Sequence, residues 1–91
     1  MAVSVRIPTI LRTYTGGAAA VTAAGATVGD VLAAVERAHP GIRARLIDET
    51  GALRRFVNVY VGNDDVRFLE ELDTPTPDGV QISVIPAVAG G

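Results

Sequence analysis

The chain has no cysteine, no lysine and a single histidine. Without cysteine there is no thiol nucleophile and no disulfide. Small secreted domains often depend on disulfides, so the absence points to a cytoplasmic location. Without lysine, only the N-terminus offers an amine to acylate or to form a Schiff base. All eight basic residues are arginine, a pattern that genomic codon bias also produces. There is no apolar run near the ~18 residues that a membrane span needs. The segment Met1-Ala2-Val3-Ser4-Val5-Arg6 lacks the basic stretch followed by an apolar core of a signal peptide. A formal net charge of −2 argues against a nucleic-acid binder that works through a basic stripe. No phosphate-binding loop or dinucleotide fingerprint is present.

What remains is a short, apolar chain. Its 91 residues fit one domain, and 48% of them are hydrophobic. A domain of this size buries only about 60–65% of its unfolded surface. A deep, enclosed active site is hard to build on that scale. Work at a surface or a terminus is easier.

Val3, Val5 and Ile7 alternate with Ser4 and Arg6, which predicts a half-buried strand up to Pro8. The stretch Thr9–Thr15 leads to a turn signal at Gly16-Gly17, and Ala18–Ala24 reads as a weaker strand. Thr27 opens a helix, with Asp30 three residues on in the manner of a capping box. Val28, Val31, Leu32 and Val35 mark the apolar face of that helix. His39-Pro40-Gly41 stops it, and His39 suits a surface role at the helix end.

Ile42–Leu53 reads as polar and irregular, with room for one helical turn over Ile42–Ile47. Arg54–Val61 is the strongest strand signal, since five of the six residues Phe56-Val57-Asn58-Val59-Tyr60-Val61 are β-branched or aromatic. Gly62-Asn63-Asp64-Asp65 predicts a turn, Val66–Leu69 a short edge strand and Asp73–Gly79 a loop. Val80–Ile85 is the last strand, ended by Pro86. The pairs Asp64-Asp65 and Glu70-Glu71 lack calcium-loop spacing and read as solvated surface.

This order, β-β-α-β-(β)-β, predicts an α+β fold: one main helix packed across a mixed sheet of four to five strands. The pattern suits the ubiquitin-like β-grasp, because the chain has no second full helix for a ferredoxin-like fold. The predicted organisation is a β-grasp domain over residues 1–86 and a flexible tail over 87–91.

The tail reads Ala87-Val88-Ala89-Gly90-Gly91. A terminal Gly-Gly arises by chance in roughly one chain in 200, so it carries weight only in context. Five residues extend to roughly 17 Å, long enough to enter another protein's narrow channel. Glycine has no side chain to hinder a close approach. The carboxylate of Gly91 would be an unhindered acyl group, and Gly90, Ala89 and Val88 would line its path. A carboxylate must be activated before it accepts sulfur. Adenylation with MgATP makes a mixed anhydride, and sulfide or a persulfide then displaces AMP to leave a thiocarboxylate. A carrier of this kind needs no internal catalytic group.

Several segments together resemble a known family. They are Ile7-Pro8-Thr9-Ile10-Leu11-Arg12, Thr15-Gly16-Gly17, Arg55-Phe56-Val57-Asn58-Val59-Tyr60-Val61, Asp65-Val66-Arg67-Phe68 and Ile85-Pro86-Ala87-Val88-Ala89-Gly90-Gly91. The chain is similar to the MoaD/ThiS sulfur carriers, and among them to the cysteine-biosynthesis branch, the CysO type. The resemblance implies a protein co-substrate rather than an enzyme, with no cofactor or metal of its own.

It also implies three partners. An adenylating enzyme of the MoeB/ThiF kind would load Gly91 with sulfur, using MgATP. A PLP-dependent cysteine synthase would add that sulfur to an aminoacrylate made from O-phosphoserine. After an S-to-N acyl shift, a zinc peptidase of the JAMM type would release cysteine. Sulfur supply for molybdopterin, thiamine or secondary metabolites stays open, as does ubiquitin-like protein modification.

Strand alternation adds one expectation about docking. If Val57, Val59 and Val61 face the core, Phe56, Asn58 and Tyr60 face outward, where Ser83 and Ile85 could join them. Phe56, Tyr60 and Ile85 are the candidate docking residues.

Overall fold

The computed structural model describes residues 2–55 and 57–86. The expectations for Phe56 and for residues 87–91 lie outside the described residues. Five strands form one sheet: β1 (Ala2–Arg6), β2 (Ala20–Ala24), β3 (Val57–Val61), β4 (Asp64–Asp65) and β5 (Gln81–Pro86). Their order across the sheet is β2-β1-β5-β3-β4. The first and last strands lie side by side and parallel, and the other pairs are antiparallel. One helix, α1 (Val28–Ala38), packs against this mixed sheet, and a four-residue helix, α2 (Arg43–Leu46), follows it. This is the β-grasp arrangement.

The core follows from alternation on the strands and helical spacing on α1. Val3, Val5, Val57, Val59, Ile82 and Val84 turn inward. Val28, Val31, Leu32 and Val35 of α1 meet them. The Thr27 hydroxyl accepts a hydrogen bond from the Asp30 N–H at 3.2 Å and caps the helix as its sequence predicts. Just before it, Gly25 has no room for a side chain: a Cβ there would lie 2.7 Å from the Val31 nitrogen. At the far end His39 is the C-cap, and its N–H donates to the Val35 carbonyl at 2.8 Å.

Three segments differ from their sequence-based reading. Val66–Leu69 is not an edge strand. The edge is Asp64–Asp65, and Val66–Phe68 is a 3-10 turn. The Asp65 carboxylate accepts from the Arg67 N–H at 2.9 Å and pulls the chain out of the sheet. The turn before it shrinks to Gly62-Asn63, with Gly62 at φ +63°. A positive φ at the first central residue of a two-residue hairpin favours glycine. Second, Thr9–Thr15 is a 3-10 helix rather than a plain lead-in, closed by Gly16 at φ +66°. Third, Ile42–Leu53 is less polar in effect than it reads. Ile42, Leu46, Ile47 and Leu53 are all buried. The Ile47–Leu53 bridge closes a loop held by Asp48, whose carboxylate accepts from the Thr50 and Ala52 N–H groups.

Candidate functional site

Pro86, the last residue of β5, lies opposite Val57 of β3. On its other side β5 runs parallel to β1, so the segment after β1 lies beside the same strand end. That segment begins Ile7-Pro8 and becomes the Thr9–Thr15 3-10 helix. Pro8 and Pro86 are both half-buried there.

Two open grooves of comparable volume, about 540 and about 530 Å³, flank this strand end and share Pro8, Ile10, Val84 and Pro86. The first runs toward α2 between Leu11, Tyr14 and Leu46. The second lies on the outer face of the sheet beside Ser83 and Ile85. Ile10 is 66% exposed and Ile85 is 47% exposed, so apolar surface is open to solvent on both sides of the strand end.

The charged residues that line the two grooves are all arginine. Arg45 and Arg54 stand at the first, and Arg6 and Arg12 at the second. Three of these are anchored through Nε. Arg12 donates to the Ile7 carbonyl at 3.2 Å, Arg45 to the Tyr14 hydroxyl at 2.7 Å and Arg54 to the Ala44 carbonyl at 2.9 Å. The Arg45 guanidinium also lies over the Tyr14 ring, 5.9 Å from its centroid.

The position of α2 is set by Glu36. Its carboxylate accepts from the Gly41 N–H at 3.0 Å and the Arg43 N–H at 2.9 Å. Those two backbone bonds, first Gly41 and then Arg43, hold its carboxyl below the usual Glu value. Asp48 is lowered in the same direction, chiefly by the Thr50 hydroxyl and then by the Ala52 N–H.

Of the candidate docking residues, Ile85 lines the second groove. Tyr60 is half-buried opposite Ser83 and stands outside both grooves. Asn58 pairs with Ile85 but is engaged: its side-chain oxygen accepts from Arg67 at 2.6 Å. The outward register expected for Asn58, Tyr60, Ser83 and Ile85 is present. The expectations for Phe56, Val88, Ala89, Gly90 and Gly91 fall outside the described residues.

Sequence reasoning missed the arginines and Ile10. For Ile10 a signal lay in the 3-10 segment, where apolar Ile10, Leu11 and Tyr14 recur at helical rather than strand spacing; the arginines, scattered along the chain, had none. Among the described residues, no three His, Asp or Glu side chains converge as a metal-binding set, and no helix is long and apolar enough to cross a membrane.

Residues 5–91 match the ThiS family. The chain belongs to that family. Among its ThiS-family relatives, the sulfur carrier protein CysO of Mycobacterium tuberculosis is 50% identical, with both chains covered in full. A chain in the crystal structure of the Amycolatopsis orientalis BexX/CysO complex superposes with a TM-score of 0.93. It is 53% identical, over 98% of this chain and 99% of that one. Small archaeal modifier protein 3 of Haloferax volcanii is 42% identical over 72% of this chain and 71% of its own. These relatives are named as carriers or modifiers, not as catalysts.

Proposed function

We propose that the chain is a sulfur carrier whose cargo rides on the C-terminal carboxylate of Gly91. The observation that supports this most directly is where β5 ends. Pro86, the last residue of β5, borders two open grooves, and Ala87-Val88-Ala89-Gly90-Gly91 come next in the sequence. A terminus starting at such a surface suits chemistry performed by a docked partner. Full-length identity of 50% with a sulfur carrier supports the same reading.

The loading chemistry needs two displacements. The Gly91 carboxylate oxygen attacks the α-phosphorus of ATP and releases pyrophosphate, giving an acyl adenylate. Sulfide then attacks the acyl carbon, the bond to AMP breaks, and a thiocarboxylate remains. The ATP, its magnesium and the catalytic groups belong to an adenylating enzyme of the MoeB/ThiF kind. The carrier supplies the acyl end, the reach of residues 87–91 and the docking surface, which includes Ile85. Tyr60 and Phe56 extend that surface in this reading.

The recipient that fits best is a PLP-dependent cysteine synthase acting on O-phosphoserine. A JAMM-type zinc peptidase would then free the product from Gly91. The crystallised complex of the Amycolatopsis relative with BexX supports docking of such a carrier onto a second protein. A pull-down that retrieves a different recipient would reassign the pathway and leave the carrier chemistry intact. A second reading, protein modification, draws on the 42% identity with an archaeal modifier. Higher-mass conjugates of the chain in lysate would favour it.

The deciding experiment is an intact-mass spectrum after incubation with MgATP, a MoeB/ThiF-like enzyme and sulfide. The expected gain is that of one oxygen exchanged for sulfur, placed on Gly91 and lost when Gly91 is deleted. No gain with active candidate enzymes would overturn the carrier reading.

A further inference from the structure

Four of the eight arginines in the chain stand at two grooves that share one strand end. The chain carries ten acidic residues and a net charge of −2, yet no Asp or Glu lines either groove. The lining around Pro86 is therefore basic on a negative protein; Arg54, at its margin, also borders a neighbouring groove with Glu36, Asp48 and Glu49 and helps to lower the Asp48 carboxyl. Five of the ten acidic residues lie at the far edge of the sheet or just after it: Asp64 and Asp65 form the edge strand, and Glu70, Glu71 and Asp73 follow.

The arginines are also pre-oriented. Arg12, Arg45 and Arg54 each spend Nε on an internal oxygen. Their terminal nitrogens make no hydrogen bond among the described residues, and Arg6 makes no side-chain hydrogen bond among them. An anchored guanidinium loses little freedom on meeting a carboxylate, and its planar fork matches that group in a bidentate manner. Between the arginines the floor is apolar, with Ile10 and Pro86 at its centre. An apolar centre with a charged rim is the usual anatomy of a protein-protein contact.

We infer that Arg6, Arg12, Arg45 and Arg54 form a cationic collar that seats the carrier on an acidic protein surface. This inference rests on the carrier reading above. The occupant is the rim of the channel that receives residues 87–91 on the adenylating enzyme: Asp and Glu side chains around an apolar ridge that fits against Ile10. The collar aligns the carrier before its terminus enters, so it acts chiefly on the association rate. A nucleic acid is the competing anionic occupant, and the net negative charge of the whole chain disfavours it.

The test uses the full chain and a purified MoeB/ThiF-like enzyme of the same organism. Affinity is measured between about 50 and about 500 mM salt, and thiocarboxylate formation is followed by mass in parallel. Three variants are compared: Arg6→Glu, the double variant Arg45→Glu/Arg54→Glu, and Arg37→Glu on α1 outside both grooves. Arg6→Glu removes no internal hydrogen bond seen among the described residues, so it reports on docking even if the double variant is poorly folded.

The double variant is expected to weaken binding at low salt by at least about tenfold. Arg6→Glu weakens it less, and Arg37→Glu leaves it unchanged. The salt dependence of the wild type flattens in the collar variants. Wild type that loads sulfur while both collar variants bind with unchanged affinity and salt slope would overturn the collar and leave the carrier reading standing. Wild type that neither binds nor gains sulfur would overturn both. Tighter, Arg45-dependent binding of a labelled single-stranded oligonucleotide than of the enzyme would also overturn it.

Discussion

The two faces of the sheet are built from the same five strands and do opposite work. The inner face presents Val3, Val5, Val57, Val59, Ile82 and Val84, all buried beneath α1 and the segments around it. The outer face presents Ser4, Arg6, Thr22, Asn58, Tyr60, Gln81, Ser83 and Ile85, each exposed or half-buried. A carbon atom on the inner face has close neighbours on every side, so removing it leaves a void. A side chain on the outer face exchanges protein contact for water at little loss. Stability is thus concentrated on one face, and the other is left for recognition.

The comparison is broken most severely from inside. Leu32, 1% exposed on α1, is expected to lose about 2–5 kcal/mol on replacement by alanine, read by urea denaturation. A loss near zero would mean that the α1–sheet interface closes over the void. The next effect belongs to the one outer-face group that behaves like an inner one. Arg67 donates to the Asn58 side chain at 2.6 Å and the Arg54 carbonyl at 2.9 Å. Arg67→Ala is expected to destabilise by about 1–3 kcal/mol, and the Asn58→Ala/Arg67→Ala double variant by less than the sum of the two single losses. Full additivity would show that the pair is incidental.

A smaller stability effect, paired with a functional one, is expected at Ile85. Ile85→Asp places a charge on solvated surface and is expected to alter stability by about 1 kcal/mol or less. Association with the adenylating enzyme should weaken by about tenfold. Tyr60→Asp sharpens the comparison because Tyr60 lies outside both grooves: a smaller loss than at Ile85 centres the docking surface on the β5 end. Equal affinity for wild type and Ile85→Asp would remove Ile85 from that surface.

The smallest effect is a pH dependence at the α1–α2 joint. The Glu36 carboxyl sits below its usual value because the Gly41 and Arg43 N–H groups bond its charged form. Its contribution to stability is fully present above the unfolded Glu value and is lost as pH falls through the lowered folded value. The advantage of wild type over Glu36→Gln should therefore hold at neutral pH, shrink below about pH 4 and vanish at lower pH. A pH-independent difference would assign the effect to shape rather than charge.

Much of the inner face was legible because it is encoded locally. Val3, Val5 and Ile7 repeat with period two, and Val28, Val31, Leu32 and Val35 repeat with the period of a helix. Thr27 announced the start of α1 through its hydroxyl, and Pro40 announced its end. The segments misread are those where a side chain competes with the ladder. Asp65 bonds the Arg67 N–H and turns Val66–Phe68 away from the edge it resembles. In Ile42–Leu53 the helical turn was legible from Ile42 and Leu46, four apart, but the burial of Ile47 and Leu53 was not, since a bridge between them sets it.

The candidate site was legible only in its last residue types. The Gly-Gly pair and Ile85 could be named from their chemistry and their strand. The collar could not, because Arg6, Arg12, Arg45, Arg54 and Pro86 are scattered along the chain. Nothing local says that the first strand lies parallel beside the last.

The amino-acid sequence by itself determined the strands, the main helix with its cap, and a chain with neither thiol nor lysine amine. Each of these depends on neighbours within a few positions. Only the tertiary structure decided the order β2-β1-β5-β3-β4, and with it the meeting of Pro8, Ile10 and four arginines around Pro86. Parallel pairing of β1 with β5 joins opposite ends of the chain. The choice of partner strand is made by burial of a shared face, which no short stretch of sequence contains.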